Sequence, residues 1–213
     1  MKPPAYFYSA ALWPALLSVA VGVACYIAAG PSLDFFLGTV LMAGILTPAL
    51  VLGSEQQKLR WISVAVIIVA LAMVWLAADA ISVFAWIQCT LILAGFVGAL
   101  AAAAILLNRL GLPPVLAAAV VTVLSLAWLT WPIWACSALR GQAIVWPVAI
   151  HPLFAINSAC RDLGIWTEQR IAYRLTNMGQ DVAYRLPASV LPCVAVHLVM
   201  AAVFTALGWK WAR

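Results

Sequence analysis

The chain reads as an all-α polytopic membrane protein: a compact bundle of about six transmembrane helices, seven being the alternative count, with an interfacial amphipathic helix before the last span. Three observations predict this. Of the 213 residues, 67% are hydrophobic and only 8% charged, whereas charged residues make up about a quarter of soluble domains. The apolar residues gather into runs of roughly the 20 residues that cross a bilayer. Most of the connections between runs are short, which makes successive helices antiparallel neighbours in one bundle.

The first run, Tyr8–Ala29, follows Lys2 and could pass for a secretory signal. It is too long for a signal h-region, and Pro31 would directly follow a cut at Gly30, so it reads as a retained span. Gly-Pro-Ser turns the chain into Leu33–Gly53, and the polar stretch Ser54–Arg60 leads to Trp61–Ala78. A tight turn at Asp79 precedes Ser82–Leu107, and Asn108–Pro113 precedes Pro114–Trp134. The sixth span is Ala188–Trp209. Pro14, Pro48, Pro132 and Pro192 fall inside these runs and predict kinks. The whole chain, 1–213, is one integral domain, with 140–187 inserted between spans five and six.

That insertion concentrates the charge. Arg140, Arg161, Asp162, Glu168, Arg170, Arg174, Asp181 and Arg185 all lie within it. Its first part, Gln142–Cys160, is uncharged but broken by Pro147 and Pro152 and bracketed by tryptophans, so it predicts a re-entrant or interfacial segment rather than a seventh span. In the second part Ile171, Leu175, Met178, Val182 and Leu186 recur on one helical face, with Arg170, Arg174 and Arg185 elsewhere. That pattern predicts an amphipathic helix along the membrane surface, with Trp166 at headgroup depth.

Orientation follows from Lys and Arg. With the N-terminus in the cytoplasm, Lys2, Lys58, Arg60, Arg109, Lys210 and Arg213 fall inside, and the short outer turns carry only Asp34 and Asp79. Seven spans would move Arg161, Arg170, Arg174 and Arg185 inside and Lys210 and Arg213 outside, an even stronger positive-inside bias. The composition and small size fit a bacterial-type cytoplasmic (inner) membrane.

Several function classes lose support. The net charge of +5 is carried mostly beside apolar spans, as orientation signals and anionic-lipid contacts are, and no basic groove with interleaved aromatics points to nucleic acid. Five scattered cysteines and two histidines lack the spacing of a zinc, haem or iron–sulfur site, so no metal and no cofactor is expected. No phosphate-binding loop or nucleophile elbow occurs. His197 is the ionisable group well inside a clear span, with Gln88 its nearest polar analogue, and intramembrane groups of this kind are default functional candidates. Ala94, Gly98 and Ala102, four residues apart, mark a close-packing face on the fourth span; packing within the bundle is the first reading and a homo-oligomer contact the second.

Trp134-Ala-Cys136-Ser-Ala-Leu-Arg140 resembles the A-C-S-G-[LI]-R signature of the exosortase and archaeosortase membrane transpeptidases. The resemblance implies a cysteine nucleophile at the outer face, Cys136, beside Arg140, with Arg161 and His197 as the downstream arginine and histidine. Pro152, Asn157 and Arg161 loosely match that family's proline–asparagine–arginine pattern, whereas Ala138 stands where the signature has glycine and Gly141 where serine usually follows. The chemistry is coherent, since a nearby cation lowers a thiol's pKa and histidine relays the proton. The leading expectation is nevertheless a non-catalytic subunit or accessory of a larger membrane complex, a transport system among the options. It would contact anionic lipid headgroups or other membrane subunits through Arg161, Arg170, Arg174, Arg185 and Trp166. The cysteine transpeptidase or protease is the alternative, and a small-solute permease the third.

Overall fold

A computed structural model of the protein describes residues 5–53, 56–134, 144–163 and 186–211, the side chains of 5–11 and 133–134 excepted. Among these residues the chain is helical and carries no strand. Helices α1 (Ala5–Ala29), α2 (Leu33–Leu52), α3 (Gln57–Ala77), α4 (Val83–Arg109) and α5 (Pro114–Trp134) are followed by short α6 (Val145–Ile150) and α7 (Pro152–Ala159), a 3-10 turn at Arg161–Leu163, and α8 (Leu191–Lys210). Six of them, α1 to α5 and α8, are long and apolar enough to cross a membrane. The protein is therefore a multi-pass, membrane-embedded helical bundle. The amphipathic segment 170–186 expected before α8 lies, but for Leu186, outside the described residues.

Boundaries moved where local chemistry decides them. α3 begins at Gln57, four residues ahead of the expected Trp61, because its first turn carries Lys58 exposed and Arg60 half-buried while Leu59 turns inward. α8 begins at Leu191, later than the expected Ala188; Pro192 occupies its first turn, where the missing N–H has no helical acceptor to lose. Pro192 is thus a helix starter, not the kink expected from sequence. Pro14, Pro48 and Pro132 do lie inside their helices.

Two turns show why the connections can be so short. Gly30 takes φ +65° after α1, with its N–H on the Tyr26 carbonyl at 2.7 Å, an αL stop that glycine accepts without strain. Asp79 takes φ 47° between α3 and α4, a conformation that Asp tolerates better than most residues. The Ser82 hydroxyl then caps α4 by accepting from the Ala85 N–H at 3.2 Å.

α2 and α4 form the centre: 61% of the α2 span and 56% of the α4 span are buried, against 17% for α1 and for α8. α1 lies on α3 and α2, α5 on α2 and α4, and α8 runs along α4. Between α2 and α3, Phe35, Phe36 and Trp75 are fully enclosed, with ring centroids 5.0 Å and 5.5 Å apart in succession. The Trp75 indole donates to the Thr39 hydroxyl at 2.8 Å, which itself donates to the Phe36 carbonyl at 2.8 Å. This chain satisfies polar atoms that lipid could not.

The stretch after α5 does not cross the membrane as a seventh span. Pro152 forces its predecessor out of the helical region, and His151 takes φ −83°, ψ 127°. The break leaves α6 with six residues and α7 with eight, about 9 and 12 Å at 1.5 Å per residue, far short of a bilayer core of about 30 Å. α7 is no surface helix either: Pro152 to Asn157 are all buried, packed on α4 and α2. Its C-terminal end reaches the turn between α3 and α4, where Ala159, Cys160 and Asp162 share a small cavity with Asp79, Ser82 and Ala85. The end of α5 and the end of α7 thus lie on the same side of the bundle, the Asp79 end. Lys58, Arg60, Arg109 and Lys210 gather at the other, where Arg60 donates to Asn108 at 3.3 Å and Arg109 bonds Gln57 and sits 3.4 Å from a Cβ placed on Gly208.

Candidate functional site

A lateral cavity of about 460 Å³ lies between α4, α5 and α8. α4 contributes Phe96, Leu100, Ala103 and Leu107, α5 contributes Leu124, Ser125 and Trp128, and α8 contributes His197, Met200 and Phe204. The cavity exists because small residues on α4 face it: Ala99 and Ala103 leave space that larger side chains would fill. α5 and α8 line it from mid-span, while the α4 lining runs from Phe96 near mid-span to Leu107 close to the Arg109 end. Ser125, Trp128 and His197 are the polar residues in an otherwise apolar wall.

His197 is 4% exposed and set by a close helix crossing. A Cβ on Gly95 would stand 3.3 Å from His197 Cβ and 3.5 Å from the Val194 carbonyl oxygen, so any larger residue there would press α8 outward by a few tenths of an ångström or more. The ring meets Phe96 edge-on at 5.6 Å. Its Nδ1 lies 2.8 Å from the Cys193 carbonyl and 3.7 Å from the Cys193 sulfur. A carbonyl only accepts, so Nδ1 carries the proton and Nε2 is the acceptor nitrogen. The same bond disqualifies Cys193–His197 as a nucleophile–base pair, because a protonated Nδ1 cannot take the thiol proton.

A second imidazole sits above the cavity. His151 is fully buried at the α6–α7 break, with Nε2 3.0 Å from the Trp128 carbonyl. Trp128, Trp131 and Phe154 surround it at ring-centroid distances of 5.2, 5.8 and 5.2 Å. The assigned donor is Nε2, which leaves Nδ1 an acceptor with no hydrogen-bond partner among the described residues. Trp128 Nε1, Trp131 Nε1 and Ser125 Oγ are in the same position. Buried polar atoms without a protein partner are unusual in folded chains.

No family model, curated protein or solved structure matches the chain. The site must be read from its own geometry.

Of the residues singled out from sequence, His197 is on the cavity wall. Arg161 is not: it is exposed at the Asp79 end and donates to the Pro187 carbonyl at 3.4 Å, beside Ser158, which bonds the same carbonyl at 2.6 Å. Asn157 is fully buried on α7. Cys136, Arg140, Trp166, Arg170, Arg174 and Arg185 lie outside the described residues. A Cβ placed on Gly98 would stand 3.9 Å from Ala201 Cβ of α8, and Ala102 is buried on the same helix, whereas Ala94 is half-buried. Gln88 is half-buried on α4, about two turns from Gly95. Among the described residues no three His, Cys, Asp or Glu side chains stand within reach of one metal ion.

Sequence reasoning missed His151, Ser125, Trp128 and Gly95. His151 did carry a signal, an ionisable residue in an otherwise uncharged nineteen-residue run directly before a proline. Ser125 and Trp128 carried none, since a serine and a tryptophan in an apolar helix are common.

Proposed function

We propose that the protein is a non-catalytic component of a larger membrane assembly and that it holds the apolar chain of an anionic membrane amphiphile in the α4/α5/α8 cavity. One observation carries the reading: an apolar recess of about 460 Å³ with three neutral polar side chains on its wall. Ligand sites are typically recesses of about 300–1,000 Å³ with apolar walls and a few placed polar groups. The recess opens sideways into the hydrocarbon, which favours an occupant that arrives from the bilayer. The Leu106–Leu107 end of the recess adjoins Arg109, so a headgroup phosphate there would meet the cluster formed with Arg60, Lys58 and Lys210. Arg161, at the opposite end of the bundle, belongs to a second set of headgroup or partner contacts that the sequence pattern assigns together with Trp166, Arg170, Arg174 and Arg185. The host is a bacterial-type inner membrane, with the N-terminus and the Arg109 end in the cytoplasm.

Native mass spectrometry tests this on the full chain released from membranes in mild detergent. The wild type should retain a lipid adduct, and Ala103→Trp, which fills the recess from α4, should lose it. Equal lipid retention by the two proteins would sink the reading.

A second reading has its own support. α6 and α7 are short and break at His151, and the end of α5, two residues before Cys136 in sequence, is on the same side of the bundle as Arg161. The exosortase-like transpeptidase requires that arrangement of its cysteine and arginine. Cys136→Ala should then abolish cellular function while leaving the protein's abundance unchanged; full function in that variant would dismiss the enzyme.

A further inference from the structure

Two thiols meet where α7 ends against α4. Cys89, in the second turn of α4, and Cys160, which closes α7, are 0% and 2% exposed, and their sulfurs are 3.4 Å apart. They belong to no site described above and are separated by 71 positions in sequence. Scattered buried cysteines are ordinary small hydrophobes, but two sulfurs in contact across a tertiary junction are not a scatter. A closure of about 1.4 Å separates their 3.4 Å contact from the ~2.04 Å of a disulfide.

Access is provided on one side. Cys160 lines the cavity of about 170 Å³ that also carries Asp79, Ser82 and Asp162, at the end of the bundle away from Lys58, Arg60, Arg109 and Lys210. The positive-inside rule assigns the Asp79 end to the outer face, which in a bacterial envelope is the oxidising side.

We propose that Cys89 and Cys160 form an intramolecular disulfide that fastens the re-entrant α6–α7 segment to α4. The oxidant is of the disulfide class. The Cys160 thiolate, reached through the small cavity, attacks the oxidant's S–S bond, forming a mixed disulfide and expelling one thiolate. The Cys89 thiolate then attacks the Cys160 sulfur, forming the internal bond and expelling the second thiolate. Two protons leave the protein thiols for the two departing thiolates, and two electrons pass to the oxidant. Oxidised, α7 is tied covalently to the helix that supports the lateral cavity. Reduced, it is held by packing and by the Ser158 and Arg161 bonds to Pro187.

The test is thiol accounting on the full chain in its membrane. Membranes are exposed to excess oxidised glutathione, quenched with acid, denatured and alkylated with N-ethylmaleimide, with and without prior reduction, and the intact mass is read. The wild type should gain two alkyl adducts on reduction, and a non-reduced digest should contain the Cys89 peptide joined to the Cys160 peptide. Cys160→Ser should remove that gain, and Cys89→Ser should leave at most the single adduct of a mixed disulfide trapped on Cys160. Full alkylation of wild-type Cys89 and Cys160 without reduction overturns the proposal, as does a two-adduct reduction-dependent gain that survives in Cys89→Ser. The wild-type measurement stands even if a variant fails to accumulate.

Discussion

Thr39 does with one hydroxyl what lipid cannot do for its neighbours, accepting from the Trp75 indole and donating to the Phe36 carbonyl. Thr39→Val keeps the shape and removes the acceptor, leaving a fully buried Trp75 N–H unpaired. An orphaned buried donor costs about 1–3 kcal/mol, so Thr39→Val should unfold at a lower temperature in detergent while Thr39→Ser stays near the wild type; thermal denaturation followed by circular dichroism reads the difference. At this scale the sequence was only partly legible. His197 stood out because an imidazole is rare in a span, and it does line the cavity. Ser125 did not, because its role depends on α2: a Cβ on Gly44 would come within 2.7 Å of its hydroxyl, a contact that no spacing along α5 encodes.

Among the elements, α8 runs along α4, and small residues of α4, Gly95 and Gly98, face Val194, His197 and Ala201 of α8. The spacing of Ala94, Gly98 and Ala102 announced a small-residue face, but helices can seat a partner along either the three-residue or the four-residue ridge. The bundle uses Gly95, one residue from the expected position, because that is where the Val194–His197 turn of α8 comes down. Gly95→Leu should push α8 off α4, open the cavity wall and lower the melting temperature more than Gly98→Ala does. Purified yield and thermal unfolding of the two variants, compared side by side, check this ordering; equal effects would place the tight seam elsewhere. Pro147 and Pro152 likewise revealed that Gln142–Cys160 is broken. They did not reveal that α7 would bury every residue from Pro152 to Asn157, since its neighbours come from α2 and α4, far away in sequence.

For the whole molecule, the expectation concerns sidedness. With six spans and the basic end in the cytoplasm, reporters fused at Lys210 and at Gly179 should give opposite answers, cytoplasmic at Lys210 and external at Gly179; a cytoplasmic signal at Gly179 would invert the assignment of 161–187 and remove the cysteine transpeptidase with it. The sequence by itself determined that the chain lives in a bilayer, that about six helices cross it with a seventh left open, and where most of them turn. Those properties depend on side-chain hydropathy and local turn chemistry, which are written residue by residue. Tertiary structure decided that α2 and α4 are the centre, that α6–α7 folds back instead of crossing, and that a lateral cavity and a pair of touching thiols exist. Helices that are apolar all round carry no stripe to say which face turns inward. Packing between distant segments makes that choice, and only the folded chain contains it.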